Sequence, residues 1–173
     1  MSRTVVHVGR KIQVAIEESL GREGALIRRD VVIHPGAVAI LPLLGERQVL
    51  LVRNHRPNVG ETLWEVPAGT LGPGEDPGAA ALRELEEETG YRAAQAVKVG
   101  EMYPSPGVMT ERTHMYVATG LTPGEPRLEP DEEMTAHAVS LDDAVRWAMD
   151  GTIRDAKTIV ALLWHVLRPP RQH

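Results

Sequence analysis

The chain has no cysteine among its 173 residues, which excludes a disulfide, a thiolate-ligated zinc and a thiol nucleophile. Long apolar runs are missing too. The longest, residues 159–164, falls far short of the roughly 20 residues a membrane-spanning helix needs. The opening MSRTVVHVGRK carries no apolar stretch of the kind that marks a secretory leader, so a cytoplasmic protein is expected. No Phe, Tyr or Trp precedes Trp64, so that region can offer no benzene or indole ring to a planar ligand. There is no Gly-Lys-Ser/Thr phosphate loop and no His-Glu-x-x-His pair. Ser105 lacks the strand-turn-helix setting of a hydrolase nucleophile. Basic charge is outnumbered, with 19 Lys and Arg against 24 Asp and Glu and a net charge of −5. That balance argues against a nucleic-acid partner, which needs a basic face to neutralise phosphates.

What is present is ordinary globular composition, 42% hydrophobic and 25% charged, in a length that suits one domain with a real core. Residues 4–17 alternate loosely, with Gly9-Arg10 as punctuation, and predict a hairpin. Residues 25–33 predict a further strand. Residues 37–44 and 48–53 flank Gly45-Glu46-Arg47 and predict a second hairpin. Shorter strands are expected at 63–66, 96–102, 114–118 and 136–139. Helices are expected over 141–149 and from near Asp155 onward, the last one ended by Pro169-Pro170.

The most informative stretch is residues 69–91, GTLGPGEDPGAAALRELEEETGY. Asp76 is a good N-cap, Pro77 suits the first helical position, and Gly90 suits the residue after the last turn. Leu82, Leu85 and the alanines before them supply an apolar stripe, and the acidic side chains are expected on a different face. Glu84, Glu87 and Glu88 crowd about one helical turn. Like charges at that spacing repel, and a divalent cation is the simplest physical reason to build such a cluster. Hard cations take oxygen ligands and work beside phosphates. Glu84 and Glu88, one turn apart, can face one ion. Arg83 can hold a carboxylate in place, and Glu75 in the preceding turn can do similar orienting work.

This spacing of Gly69, Glu75, Arg83-Glu84, Glu87-Glu88 and Gly90 resembles the signature of the Nudix hydrolases, which cleave a nucleoside diphosphate linked to another moiety. Only the last position departs, with Tyr91 where the family favours an aliphatic residue. The resemblance implies an α+β fold, an α/β/α sandwich with a mixed sheet between helices. It also implies that the backbone carbonyl of Ala68 joins Glu84, Glu87 and Glu88 as metal ligands, with Mg²⁺ as the cofactor and Mn²⁺ as a substitute.

The surroundings are similar to the branch of the family that hydrolyses ADP-ribose. Pro106 stands fifteen residues beyond Tyr91 in Ser105-Pro106-Gly107. Val52-Arg-Asn-His-Arg-Pro57, Trp64-Glu-Val-Pro-Ala-Gly69 and Gly151-Thr-Ile-Arg-Asp-Ala-Lys-Thr158 look like that branch as well, so the resemblance runs over most of residues 25–168. It implies that Arg56 contacts the substrate diphosphate or ribose and Arg28 the adenosine. Ser105 and Pro106 would shape the substrate pocket, and Glu111 would bind the terminal ribose or its water. Glu132, with Glu133 as the neighbouring choice, matches the loop glutamate that acts as general base. One departure concerns adenine. Many relatives stack it on an N-terminal aromatic ring that this chain lacks, which leaves aliphatic groups such as Ile12 or a partner subunit.

The sequence therefore predicts a Mg²⁺-dependent pyrophosphohydrolase that converts ADP-ribose to AMP and ribose 5-phosphate. Residues 1–35 are expected to form an N-terminal β extension and residues 36–173 the catalytic domain. By resemblance the protein is a homodimer whose extension crosses to the partner. The alternatives are another nucleoside diphosphate sugar, a non-catalytic ADP-ribose sensor, or an RNA 5′-end pyrophosphohydrolase served by a basic patch at Arg10, Lys11, Arg28 and Arg29. An intact acidic cluster argues against the sensor.

Overall fold

The computed structural model of the chain describes residues 2–130 and 132–168. Pro169, Pro170 and Asp131 lie outside the described residues. The elements in chain order begin with a three-stranded antiparallel sheet, β1 (Ser2–Val8), β2 (Gln13–Leu20) and β3 (Leu26–Ile33). Then come β4 (Ala37–Pro42), β5 (Gln48–Arg56), β6 (Glu61–Glu65), β7 (Ala68–Thr70), α1 (Pro77–Thr89), β8 (Arg92–Met102), β9 (Thr113–Thr122), β10 (Met134–Ser140), α2 (Leu141–Asp150) and α3 (Ala156–Leu167).

The strands after β3 form two sheets. One is mixed, in the order β7-β4-β9-β8, with β4 parallel to β9 and the other pairs antiparallel. The other is antiparallel, in the order β10-β5-β6. Strand β4 is buried along its whole length and shows why the layers form. Its side chains alternate between faces with period two. Val38 and Ile40 join Ala80, Ala81 and Leu85 of α1 in one core. Ala39 and Leu41 join Leu51, Val139, Ala144 and Leu162 in a second core that brings in the other sheet, α2 and α3. Each fully buried Leu or Ile contributes about 1.5–3 kcal/mol of hydrophobic stabilisation. Helices thus cover both faces of the mixed sheet, as the α/β/α sandwich requires.

Two local expectations are corrected. The segments flanking Gly45 do not form a hairpin. They touch through one bridge, Leu43 with Val49, and one hydrogen bond from Leu44 N to Gln48 O at 2.8 Å. Strand β4 has only two edges, and β7 and β9 occupy both, so β5 pairs elsewhere. Leu82, expected in the apolar stripe of α1, is exposed, while Ala80, Ala81, Leu85, Glu84 and Glu88 are buried. The acidic and apolar side chains therefore share the inner side of the helix.

Candidate active site

Helix α1 starts where its residues dictate. The Asp76 side chain accepts a hydrogen bond from Ala79 N at 2.9 Å, and Gly90 closes the helix with φ +77°. Between them the inner face alternates by turns, Ala80-Glu84-Glu88 on one row and Ala81-Leu85 on the next. The apolar row packs on the sheet. The acidic row meets β7 and opens on a cavity of about 660 Å³ that is lined by Ala68, Gly69, Glu84 and Glu88.

Strand β7 is fitted to these carboxylates. Ala68 N donates to Glu88 Oε2 at 3.2 Å. A Cβ on Gly69 would land inside the Glu84 carboxylate, so glycine here leaves room for that carboxylate to lie against the strand. Arg83 organises the outer side. It holds both oxygens of Glu75, from Nε at 2.8 Å and Nη2 at 3.1 Å, and its Nη1 lies 2.8 Å from Glu84 Oε1 and 2.8 Å from Glu87 Oε2. Glu75 also accepts from Gly72 N at 2.8 Å. The guanidinium and that N–H hold the Glu75 carboxyl below its ordinary range.

The inner carboxylates behave oppositely. Burial pushes the Glu84 carboxyl up, and Arg83 offsets this only in part. Glu88 is pushed well above the ordinary carboxylate range, first by burial and then by Glu84 nearby. Glu132, from the loop between β9 and β10, adds repulsion to both. Among the described residues no three acidic or histidine side chains stand close enough together to enclose an ion. The donor set still fits a hard divalent cation. It offers oxygen atoms only, and Glu84 and Glu88, at 8% and 5% exposure, are two buried carboxylates whose charge the protein offsets only in part.

The same cavity is also lined by cations. Arg56, at the end of β5, makes a paired contact with the buried Glu65, Nε to Oε1 at 2.8 Å and Nη2 to Oε2 at 2.6 Å. That hydrogen-bonded pair raises the Arg56 pKa against the cost of burial. Lys157 Nζ lies 2.6 Å from Asp155 Oδ1 and 3.5 Å from Glu65 Oε2. Burial opposes its charge, but the two carboxylates outweigh burial and raise its pKa. Asp155 caps α3 through Thr158 N, and Thr158 Oγ1 accepts from Val66 N at 2.8 Å. Helix α3 and the strand before Ala68 are thereby locked together. Arg56 and Lys157 both line the cavity.

The remaining expected residues fall in four places. Glu75, Arg83, Glu111 and Glu132 line the same cavity. Glu111 accepts from Thr113 Oγ1 at 2.9 Å, and Glu132 Oε2 accepts from Glu129 N at 2.8 Å. Glu87 and Glu133 are not among the lining residues. Glu87 is held by Arg83, and Glu133 offers its carbonyl to His55 N at 2.9 Å. Ser105 and Pro106 sit in a loop docked on β3, where Val32 N donates to Val108 O and Thr110 N to Val32 O. Arg28 lies on β3, largely exposed and 3.0 Å from Glu18 Oε1, and it does not reach the cavity of its own chain. Ile12 does not line it either. Sequence reasoning assigned no role to Glu65, Lys157 or Glu129. Glu65 lies in the Trp64–Gly69 segment and Lys157 in the Gly151–Thr158 segment, and their signal is a charge embedded in an apolar or capping context. Glu129 carried no signal apart from its acidic loop.

Comparison with known proteins shows the family and the fold. A family model described as NUDIX domain matches residues 33–162. The chain is 35% identical to an ADP-ribose pyrophosphatase of Bacillus subtilis (strain 168), over 99% of this chain and 94% of that protein. It is also 35% identical to a methanol dehydrogenase activator of Bacillus methanolicus, over 95% of this chain and 90% of that protein. A crystal structure of an ADP compounds hydrolase superposes with a TM-score of 0.83 at 21% identity, covering 96% of this chain and 90% of that one.

Proposed function

The chain belongs to the Nudix family, and on that premise we propose that it hydrolyses the pyrophosphate bond of ADP-ribose to AMP and ribose 5-phosphate. The observation that carries this reading is one cavity whose lining brings the buried carboxylates Glu84 and Glu88 together with the cations Arg56 and Lys157. That arrangement suits a bridging diphosphate, which needs cations on its oxygens.

The cofactor is Mg²⁺, with Mn²⁺ as a substitute. Glu84 and Glu88 would hold it, and the Ala68 carbonyl and Glu87, once released from Arg83, would complete the set. When bound, it neutralises the pyrophosphate and lowers the pKa of water. The chain's own groups do the rest. Arg56, presented by Glu65, grips the diphosphate and orients it. Glu132 accepts the proton of the attacking water, with Glu133 the neighbouring choice. Glu111 meets the terminal ribose, and Ser105 and Pro106, which do not line the cavity, meet the substrate only where it extends beyond it. The water forms a new bond to one phosphorus and the anhydride oxygen leaves with the bond electrons. Arg28 and the β1–β3 sheet serve a second subunit in a homodimer, and the protein works in the cytoplasm.

A second reading, another nucleoside diphosphate sugar, is favoured by one observation: no Phe, Tyr or Trp precedes Trp64 to stack on adenine. Single-turnover hydrolysis of ADP- and GDP-linked sugars with Mg²⁺ in ¹⁸O-water tests both. ADP-ribose should turn over fastest, and the label in AMP or in ribose 5-phosphate identifies the phosphorus attacked. A faster GDP-sugar would transfer the assignment to the second reading, and no turnover of any sugar would remove both.

A further inference from the structure

The loop between β9 and β10 touches α1 backbone to backbone. A Cβ on Gly90 would stand 2.5 Å from Gly124 O and 2.8 Å from Pro126 N, and a Cβ on Gly124 would stand 2.7 Å from Gly90 O. Real side chains do not tolerate such distances, so glycine is needed on both sides of this seam. Just beyond it, Arg127 N donates to Glu87 O at 2.7 Å. The Arg127 and Arg92 side chains both reach Glu86 Oε1 at 2.9 Å. The far end of the loop is pinned by His55 N to Glu133 O at 2.9 Å and by the first β10–β5 pair, Met134 with Asn54. Between the two anchors the chain turns on itself. Glu132 N donates to Glu129 O at 3.0 Å, and the Glu132 carboxylate accepts from Glu129 N. Both glutamates end up on the cavity wall.

From this geometry we infer that the Gly90–Gly124 seam, with the Arg127 amide, is a positioning device that sets Glu132 against the acidic row of α1. Gly90 thus has two tasks. It ends the helix with a positive φ that glycine adopts without strain, and it provides the bare backbone on which the loop rests. Gly124 and Arg127 are positioning residues that touch no reacting atom and act only through the carboxylate they place. The surface ion pairs to Glu86 add little by themselves, so the seam and the amide bond are the operative contacts. The inference rests on the reading of Glu132 as the group that orients the attacking water.

The test compares Gly124→Ala, Arg127→Pro, Glu132→Gln and the Gly124→Ala/Glu132→Gln double variant in the full chain. Arg127→Pro deletes the amide donor and serves as a second way to open the seam. Gly124→Ala and Arg127→Pro should each lower kcat ~10–100-fold, the scale of a misplaced catalytic group, with KM little changed. Mn²⁺ affinity read by electron paramagnetic resonance should stay as in the wild type. The double variant should be hardly worse than Glu132→Gln alone, because residues acting through one group are not additive. A kcat unchanged in both single seam variants, or full additivity in the double variant, overturns the inference. A silent Glu132→Gln beside an impaired Gly124→Ala removes the Glu132 assignment and upholds the seam, which then acts through Glu129.

Discussion

The Cα of Gly69 stands against the Glu84 carboxylate with no room between them for a methyl group. This contact joins the first glycine of the motif to its first helical glutamate and explains why the two must be spaced as they are. The β7 turn has to pass under the acidic row before the chain can climb to Asp76 and start the helix. Gly69→Ala should force Glu84 aside and lower kcat by about two to three orders of magnitude, the range seen when a group stabilising developing charge is lost. The fold should survive, because Ala68 and Thr70 still pair with β4. Steady-state kinetics beside a thermal melt would check this. Wild-type turnover in a folded variant would refute the contact.

Glu84→Gln and Glu88→Gln test the carboxylates directly. Each keeps the shape of the side chain and removes its charge. Turnover should drop about two to four orders of magnitude in either variant. A titration of the apo variants with Mn²⁺ should show weakened binding. Normal turnover in both would end the metal-site reading.

The same two carboxyls make stability depend on pH in an unusual direction. Burial raises both, so they hold protons more tightly in the folded than in the unfolded state. Between the ordinary carboxylate range and their raised values, the native state carries more protons than the unfolded chain. Their contribution to stability is therefore fully present below the ordinary range and is lost as pH rises through the raised values. Without metal, Glu88→Gln should raise Tm near neutral pH, because the amide oxygen can still accept from Ala68 N while the buried charge is gone. The gain should vanish at acidic pH. Mg²⁺ should raise the wild-type Tm more near neutrality than in acid. Melts across pH with and without Mg²⁺ would decide, and a metal-free Glu88→Gln less stable than the wild type near neutrality would contradict it.

The legible part of this protein was the part written in short-range pattern. The Asp76-Pro77 start, the Gly90 stop and the acidic row all follow from local rules, as do the antiparallel strands at the N-terminus. The fate of residues 37–53 was not legible. A hairpin signal at Gly45 is local, whereas the competition for the edges of β4 is decided by β7 and β9, which lie far along the chain. The burial of Glu84 and Glu88 was misread because helix periodicity cannot say which neighbours cover which row. Here the Gly69 strand covers the acidic one. The roles of Glu65 and Lys157 were hidden for a related reason. Each is charged, and each is recognisable only once β6 and the start of α3 are seen side by side.

The cationic lining should respond in substrate affinity more than in turnover. Glu65 accepts from Nε and Nη2 of Arg56, and Lys157 Nζ lies 3.5 Å from Glu65 Oε2. Glu65→Gln should raise KM for ADP-ribose about tenfold or more, the scale of one lost charge-assisted contact. Lys157→Met should move KM in the same direction, and Lys157→Arg should restore part of it. A loss confined to kcat, with KM unchanged, would place these residues with the proton-transfer groups instead.

The exposed N-terminal sheet supplies the last test. All of β1 is exposed, with Val5, Val6 and Val8 at 43%, 56% and 68% exposure, and an open strand of that kind invites a second chain. Arg28 points to the same conclusion, since it lies away from the cavity of its own chain. If the sheet crosses to a partner, the two defects Arg28→Ala and Glu84→Gln sit in different subunits of any one site. Each variant alone should be impaired, with Arg28→Ala showing a raised KM. Mixing them under conditions that allow subunit exchange should rebuild one good site in each mixed dimer. About a quarter of wild-type sites are recovered for random pairing in a twofold dimer. Light scattering should give twice the chain mass before and after mixing. A monomeric mass, or a mixture no better than the average of its parts, would leave Arg28 as a surface partner of Glu18 and nothing more.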